Sequence, residues 1–215
     1  MRIFLIYLVL LLAALTCGVQ ITLANNTAET AQRLLVLGDS LAAGYGLANE
    51  ESFPAQLESA LLQRGYHVRV INAGVSGDTT AGGLSRLSWA LADEPHLVIV
   101  ELGGNDALRG LPPEETAANL DAILRQLKAA GVSVILAGMQ APHNMGTTYT
   151  TAFDRIFPLL AQKHQVAFYP FFLAGVALDP SLNQSDGIHP NTAGVAVIVD
   201  RMLPLVTSTL RKLQK

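Results

Sequence analysis

The chain has 215 residues, half of them apolar, and a formal net charge of −3 with acids and bases interspersed. That is enough apolar matter for a single domain with a substantial core, and the charge pattern excludes a nucleic-acid footprint, there being no basic arm or stripe. The one cysteine, Cys17, falls in the N-terminal segment, so the remainder carries no thiol to mispair in an oxidising compartment.

That segment reads as a leader. Ile3 to Leu15 is almost wholly apolar behind Arg2, too short to span a bilayer as a mature helix, and small residues follow at Thr22 and Ala24. The pattern predicts a secretory signal peptide over 1–24 and a domain over 25–215 that is periplasmic or secreted, without a membrane span. Cys17 offers a rival reading as a lipidated cysteine, although Ala14-Leu15-Thr16 suits a lipoprotein signal poorly.

After a polar lead-in from Asn25 to Arg33 comes Leu34-Leu35-Val36-Leu37, a run too short for a helix and bounded by Gly38-Asp39-Ser40. It predicts a strand buried on both faces, hence a central one. Ser40 then stands at the carboxyl end of a central strand, where ligands bind in open α/β sheets, and is a candidate nucleophile by position. Asp39 and Ser40 read equally as helix N-caps. A helix is predicted over Ser52 to Arg64, stopped by Gly65, followed by a strand from His67 to Asn72 that ends at Ala73-Gly74-Val75-Ser76-Gly77-Asp78. A further helix is predicted from Thr79 to Ala92, and a strand over Leu97 to Leu102 that runs into Gly103-Gly104-Asn105-Asp106. Pro112 and Pro113 open a long helix closed by Gly131. The fourth strand, Val132 to Ala137, leads into an irregular segment from Gly138 to Thr148. A helix through Phe153 and Leu160 and a short strand at Val166 to Tyr169 follow. A last helix begins after Ser185-Asp186-Gly187-Ile188-His189-Pro190-Asn191, and Pro204 should kink or end it. Strands alternating with helices at this pitch predict a parallel sheet covered on both faces.

The first three strands each end in a polar, glycine-rich turn at one sheet edge, and adjacent strands lie about 4.8 Å apart. Ser40, Gly74 and Asn105 can therefore converge. The Ser40 amide, the Gly74 amide and the Asn105 carboxamide would supply three donors for the oxyanion of acyl transfer. Taken singly, Gly74 is an ordinary turn glycine and Asn105 an Asx turn. A serine nucleophile needs a base. Of the five histidines, His67, His96 and His164 are expected at the surface, and His143 lies at the right edge as a candidate substrate contact. His189 alone has an acid at fixed short range, Asp186, although Asp-x-x-His is also common capping chemistry.

Gly38-Asp39-Ser40-Leu41, Gly74, Gly103-Gly104-Asn105-Asp106 and Asp186-Gly187-Ile188-His189-Pro190 resemble, in order and spacing, the four blocks of the SGNH (GDSL) hydrolases. The stretches 72–80 and 100–110 look like its thioesterase I, lysophospholipase L1 and arylesterase branch. The resemblance implies a three-layer α/β/α flavodoxin-like fold with a five-stranded parallel sheet. It also implies roles by motif: Ser40 the nucleophile, Asp186 and His189 its triad partners, Gly74 and Asn105 completing the oxyanion hole with Ser40. Asp39, Gln140, Pro142, His143 and Met145 are implied as substrate contacts, the last four on a loop that shapes the acyl site. The implied activity is hydrolysis of acyl esters, thioesters or lysophospholipids with no metal and no cofactor; a monomer is the expected state, which the sequence leaves open. A carbohydrate O-acetyl esterase would use the same residues. A nucleotide- or flavin-binding module is opposed by the turn after the first strand, which has neither G-x-G-x-x-G nor a phosphate loop, and an α/β-hydrolase by the lack of a G-x-S-x-G elbow.

Overall fold

The computed structural model describes residues 31–213. The expected leader over 1–24, with Cys17 and the cut after Ala24, lies outside the described residues. Five strands, β1 (Gln32–Gly38), β2 (Val68–Gly74), β3 (Leu97–Glu101), β4 (Ser133–Ala137) and β5 (Ala167–Tyr169), form one parallel sheet in the order β2-β1-β3-β4-β5. The helices in chain order are α1 (Ser40–Ala43), α2 (Phe53–Gln63), α3 (Thr80–Ser85), α4 (Leu87–Ala90), α5 (Gly104–Leu108), α6 (Pro113–Ala129), α7 (Thr147–Asp154), α8 (Ile156–His164) and α9 (Thr192–Leu213).

From β1 the chain moves outward to β2, then crosses back to β3 on the other side of β1 and continues through β4 to β5. Right-handed crossovers running in opposite directions put their helices on opposite faces of a sheet. Accordingly α2 packs on β2 and against α9, while α6 packs on β4 and against α3 and α8. Covered on both sides, β1 and β3 read as unbroken apolar runs, and Leu34 to Leu37 and Leu97 to Val100 are fully buried. The reversal of direction falls between β1 and β3, which opens a crevice beyond their carboxyl ends.

The prediction of one helix over Thr79–Ala92 is corrected: α3 and α4 are separated at Arg86, which has left the helical region at φ −106° and ψ 4°. The Arg86 guanidinium reaches back to Asp78 Oδ2 (2.6 Å), Ala73 O (2.7 Å) and Gly38 O (2.9 Å), so one side chain ties the ends of β1 and β2 together. Pro204 does not end the last helix, which runs through it to Leu213. That helix is long and apolar enough to cross a membrane, yet its apolar stripe, with Val195, Ile198, Met202 and Val206, is spent inside the fold. His164, expected at the surface, is buried beside Asp121, with Nε2 2.6 Å from Oδ1. Lys163 Nζ donates to the same oxygen at 2.6 Å, and these two partners, Lys163 foremost, hold the Asp121 carboxyl below the usual carboxylate range.

Candidate active site

The turn after β1 is built by Asp39, which caps α1 by accepting from Leu41 N at 3.0 Å. Ser40 is the first residue of that helix, and its hydroxyl enters the crevice. A Cβ on Gly38 would lie 2.5 Å from Glu101 Oε2 and 2.6 Å from the Ala42 Cβ, so the bend into α1 needs glycine for close approach.

The imidazole arrives from a long loop between β5 and α9. Asp186 starts a tight turn in which its Oδ1 accepts from the backbone N–H groups of Ile188 (2.9 Å) and His189 (3.0 Å). Its Oδ2 meets His189 Nδ1 at 2.7 Å. Those two backbone donors, then the imidazole, hold the Asp186 carboxyl down to about 2. A carboxylate accepts only, so Nδ1 carries the proton and Nε2 presents a lone pair. Nε2 lies 2.9 Å from Ser40 Oγ, across 149 residues of sequence. Two further contacts set the ring in place. Tyr45 packs on it with centroids 4.6 Å apart, and Gln184 Nε2 donates to Tyr45 O (2.7 Å) and Pro190 O (3.0 Å), joining the histidine turn to the serine loop.

Ser40, Asn105 and His189 share a cavity of about 670 Å³. Its apolar wall includes Leu41, Leu108, Met139, Phe171, Leu173 and Leu178. Gln140, Pro142 and His143 line it as well, on a segment fixed by Ala141 N donating to Asp154 Oδ1 at 2.9 Å. Met145 does not. It closes the 3₁₀ turn His143–Met145 and faces a separate depression with Thr147 and Tyr149, away from the wall where it was expected as a substrate contact. Asp39 borders the cavity but is 1% exposed, and both its oxygens are committed, Oδ1 to Leu41 N and Oδ2 to Asn105 Nδ2 at 3.0 Å. Gly74 is placed beside α1, where a Cβ would lie 2.3 Å from Ala43 N. Its N–H donates to Asn72 Oδ1 at 2.9 Å, which sequence reasoning did not foresee.

Sequence reasoning also gave no role to Arg86 or Glu101. Glu101 had a visible signal, a lone acid in an apolar strand. It is fully buried, and its Oε2 accepts from Asp39 N at 3.3 Å. Arg86 had none, since one cation in a predicted helix is unremarked until the strand ends it reaches are known. Among the described residues there is no cluster of His, Cys, Asp or Glu able to hold a metal ion.

A serine hydroxyl hydrogen-bonded to an imidazole, the imidazole held by a carboxylate, and an amide donor on the same cavity wall on a parallel sheet define a serine-type acyl hydrolase by geometry. Comparison with known proteins agrees. The model of the GDSL-like Lipase/Acylhydrolase family matches residues 36–197, and the chain belongs to that family. Esterase TesA of Pseudomonas aeruginosa is 43% identical over 181 residues, which are 84% of this chain and 90% of that protein. Thioesterase 1/protease 1/lysophospholipase L1 of Escherichia coli K12 is 42% identical over 183 residues, 85% of this chain and 86% of that protein. Among solved structures, AlinE4, described as an SGNH-hydrolase family esterase, superposes with a TM-score of 0.71 at 48% identity, covering 84% of this chain and 97% of that one.

Proposed function

We propose that the protein hydrolyses acyl esters and thioesters through an acyl-enzyme on Ser40, with His189 and Asp186 as base and orienting acid. The observation that carries this reading is the chain of contacts Ser40 Oγ to His189 Nε2 (2.9 Å) and His189 Nδ1 to Asp186 Oδ2 (2.7 Å) on a cavity wall. In the first half-reaction Nε2 takes the Oγ proton while Oγ attacks the carbonyl carbon. The imidazolium, stabilised by Asp186, then gives that proton to the departing alkoxide or thiolate. In the second, Nε2 deprotonates a water that attacks the acyl carbon, and the proton returns to Oγ as the acid leaves. The oxyanion in both steps is held by the Ser40 N–H at the start of α1 and by Asn105 Nδ2. The third donor is the Gly74 N–H, which Asn72 satisfies in the resting site and which an anion, the stronger acceptor, would draw away.

The names of the relatives, esterase and thioesterase 1/protease 1/lysophospholipase L1, support these substrate classes. So does the cavity, whose leucine and phenylalanine wall suits an acyl chain better than the acetyl group of a decorated carbohydrate. We propose further that the leader over 1–24 is cleaved and that the mature protein acts outside the cytoplasm as a monomer, without a membrane span. Mass spectrometry of the mature N-terminus and size-exclusion chromatography check both points.

Assays with oxygen esters, thioesters and lysophospholipids of graded chain length test the activity itself. Ser40→Ala should lower kcat by about 10⁴- to 10⁶-fold on every substrate turned over. Parent-level turnover by the purified Ser40→Ala protein would overturn the mechanism.

A further inference from the structure

We propose that Asp39 is a positioning residue for acyl transfer: by holding Asn105 Nδ2 at 3.0 Å it keeps the Asn105 carboxamide turned with an N–H toward the oxyanion. The proposal rests on the reading of Ser40 and Asn105 given above. A carboxamide turned through 180° keeps its shape but exchanges donor for acceptor. Turned the wrong way, Asn105 would present an oxygen to a developing oxyanion and repel it. What fixes the orientation is a partner able only to accept, and Asp39 is that partner. Its Oδ1 is already taken by Leu41 N, which leaves Oδ2 for Asn105. One of the two Nδ2 hydrogens is thereby used, and the other, about 120° away on a planar nitrogen, is free for the cavity that Asn105 lines.

The residues behind Asp39 favour its charged form in one respect and oppose it in another. Glu101, from β3, lies beneath it and donates nothing to it, while accepting from the Asp39 N–H at Oε2. Glu101 Oε1 is the only buried side-chain polar atom without a hydrogen-bond partner among the described residues. Burial first, and the Asp39 charge second, push the Glu101 carboxyl well above the usual range, which favours its neutral form beside the Asp39 carboxylate. Burial pushes Asp39 itself up to about 6. The Leu41 N–H, Asn105 and the His189 charge oppose the rise, and Asp106 from α5 adds to it. Above that pH the carboxylate is ionised and accepts only. Below it, a protonated Asp39 can donate to Asn105 as well, and the selection between the two amide orientations is lost.

Asp39→Asn cannot reproduce the arrangement. Leu41 N and Asn105 Nδ2 both require an acceptor, and an asparagine at this position has one oxygen for two donors. The test is a double-variant cycle on a p-nitrophenyl ester with the parent, Asp39→Asn, Asn105→Ala and the double variant, each shown folded by circular dichroism. Asp39→Asn is expected to lower kcat by about 10- to 10³-fold with KM little changed, and the double variant to be no slower than Asn105→Ala alone. Parent-level kcat in Asp39→Asn beside a slow Asn105→Ala overturns the positioning role and leaves the oxyanion reading intact, as do losses that multiply in the double variant. Parent-level kcat in Asn105→Ala overturns both. Should Asp39→Asn fail to fold, the side-chain amide of Asn105 is followed by NMR in His189→Gln, where no imidazole titrates nearby, with the signal assigned by its loss on adding Asn105→Ala. One amide proton should lie downfield at pH 8 and move upfield as pH falls, with a midpoint at or above about 6, since the His189 charge that lowers Asp39 is absent from this variant. A signal unmoved between pH 4.5 and 8 overturns the proposal.

Discussion

At Asp186 two backbone N–H groups and an imidazole converge on one carboxylate, and the consequence for pH dependence has a definite sign. Its folded pKa, about 2, lies below the ordinary 3.8, so the stability it contributes is present above the ordinary value and is lost as pH falls toward 2. Asp186 therefore remains ionised throughout the range in which an esterase is assayed and adds no limb to the rate profile there. Asp186→Asn is expected to lower kcat by about 10⁴-fold, because an amide that donates toward Nδ1 stabilises the wrong tautomer. Stopped kinetics on the purified variant at pH 8 would check it; a loss under about tenfold would count against the orienting role. This pairing was visible in the sequence, since acid and base stand three positions apart and the turn is closed by a proline. The Asn72 carboxamide on the Gly74 N–H was not, because a contact between a strand residue and the amide two places on leaves no mark in spacing or composition.

Among the elements, the strands were the most legible, because a parallel sheet with both faces covered imprints unbroken apolar runs, as in β1 and β3, and the first three strands each end in a glycine turn. Helix boundaries were less so. The break at Arg86 is caused by acceptors contributed by β1 and β2, partners 48 and 13 residues away, and local propensity carries no record of them. The passage of α9 through Pro204 is the opposite case: a local breaker overruled by the burial of Met202, Leu203 and Val206 on either side of it. Pro204 is itself exposed, and Pro204→Ala would restore an N–H to the helix and remove a ring clash. The substitution is expected to stabilise the fold, by up to about 3 kcal/mol, read as a higher urea midpoint with an unchanged slope. A lower midpoint would show that the backbone around Pro204 had adapted to the proline.

At the scale of the whole molecule, two acids sit in its centre at a cost. Glu101 and Asp39 both have folded pKa values raised above their unfolded ones, 4.5 and 3.8, so each takes up a proton on folding in the interval between the two states. Stability should therefore fall as pH rises from about 4.5, by at most about 1.4 kcal/mol per pH unit for each group still titrating. Asp39 should stop contributing above about 6, and Glu101 contributes until its own raised value is passed. Glu101→Gln removes one of the two and is expected to flatten the decline between pH 5 and pH 8, measured by urea denaturation at both. An unchanged slope would mean that Glu101 is ionised in the folded protein. The sequence showed the acid in the strand but not its proton, which depends on the burial supplied by both helical layers.

The order in which the parts of the site are made has its own consequence. Ser40 follows the first strand, whereas its base comes 149 residues later, after four more strands have been synthesised. Under the proposed mechanism, a growing chain that has not yet reached residue 189 carries the Ser40 hydroxyl without the imidazole that would take its proton. On that mechanism, hydrolytic power requires the turn bearing Asp186 and His189 to be seated against the Ser40 hydroxyl.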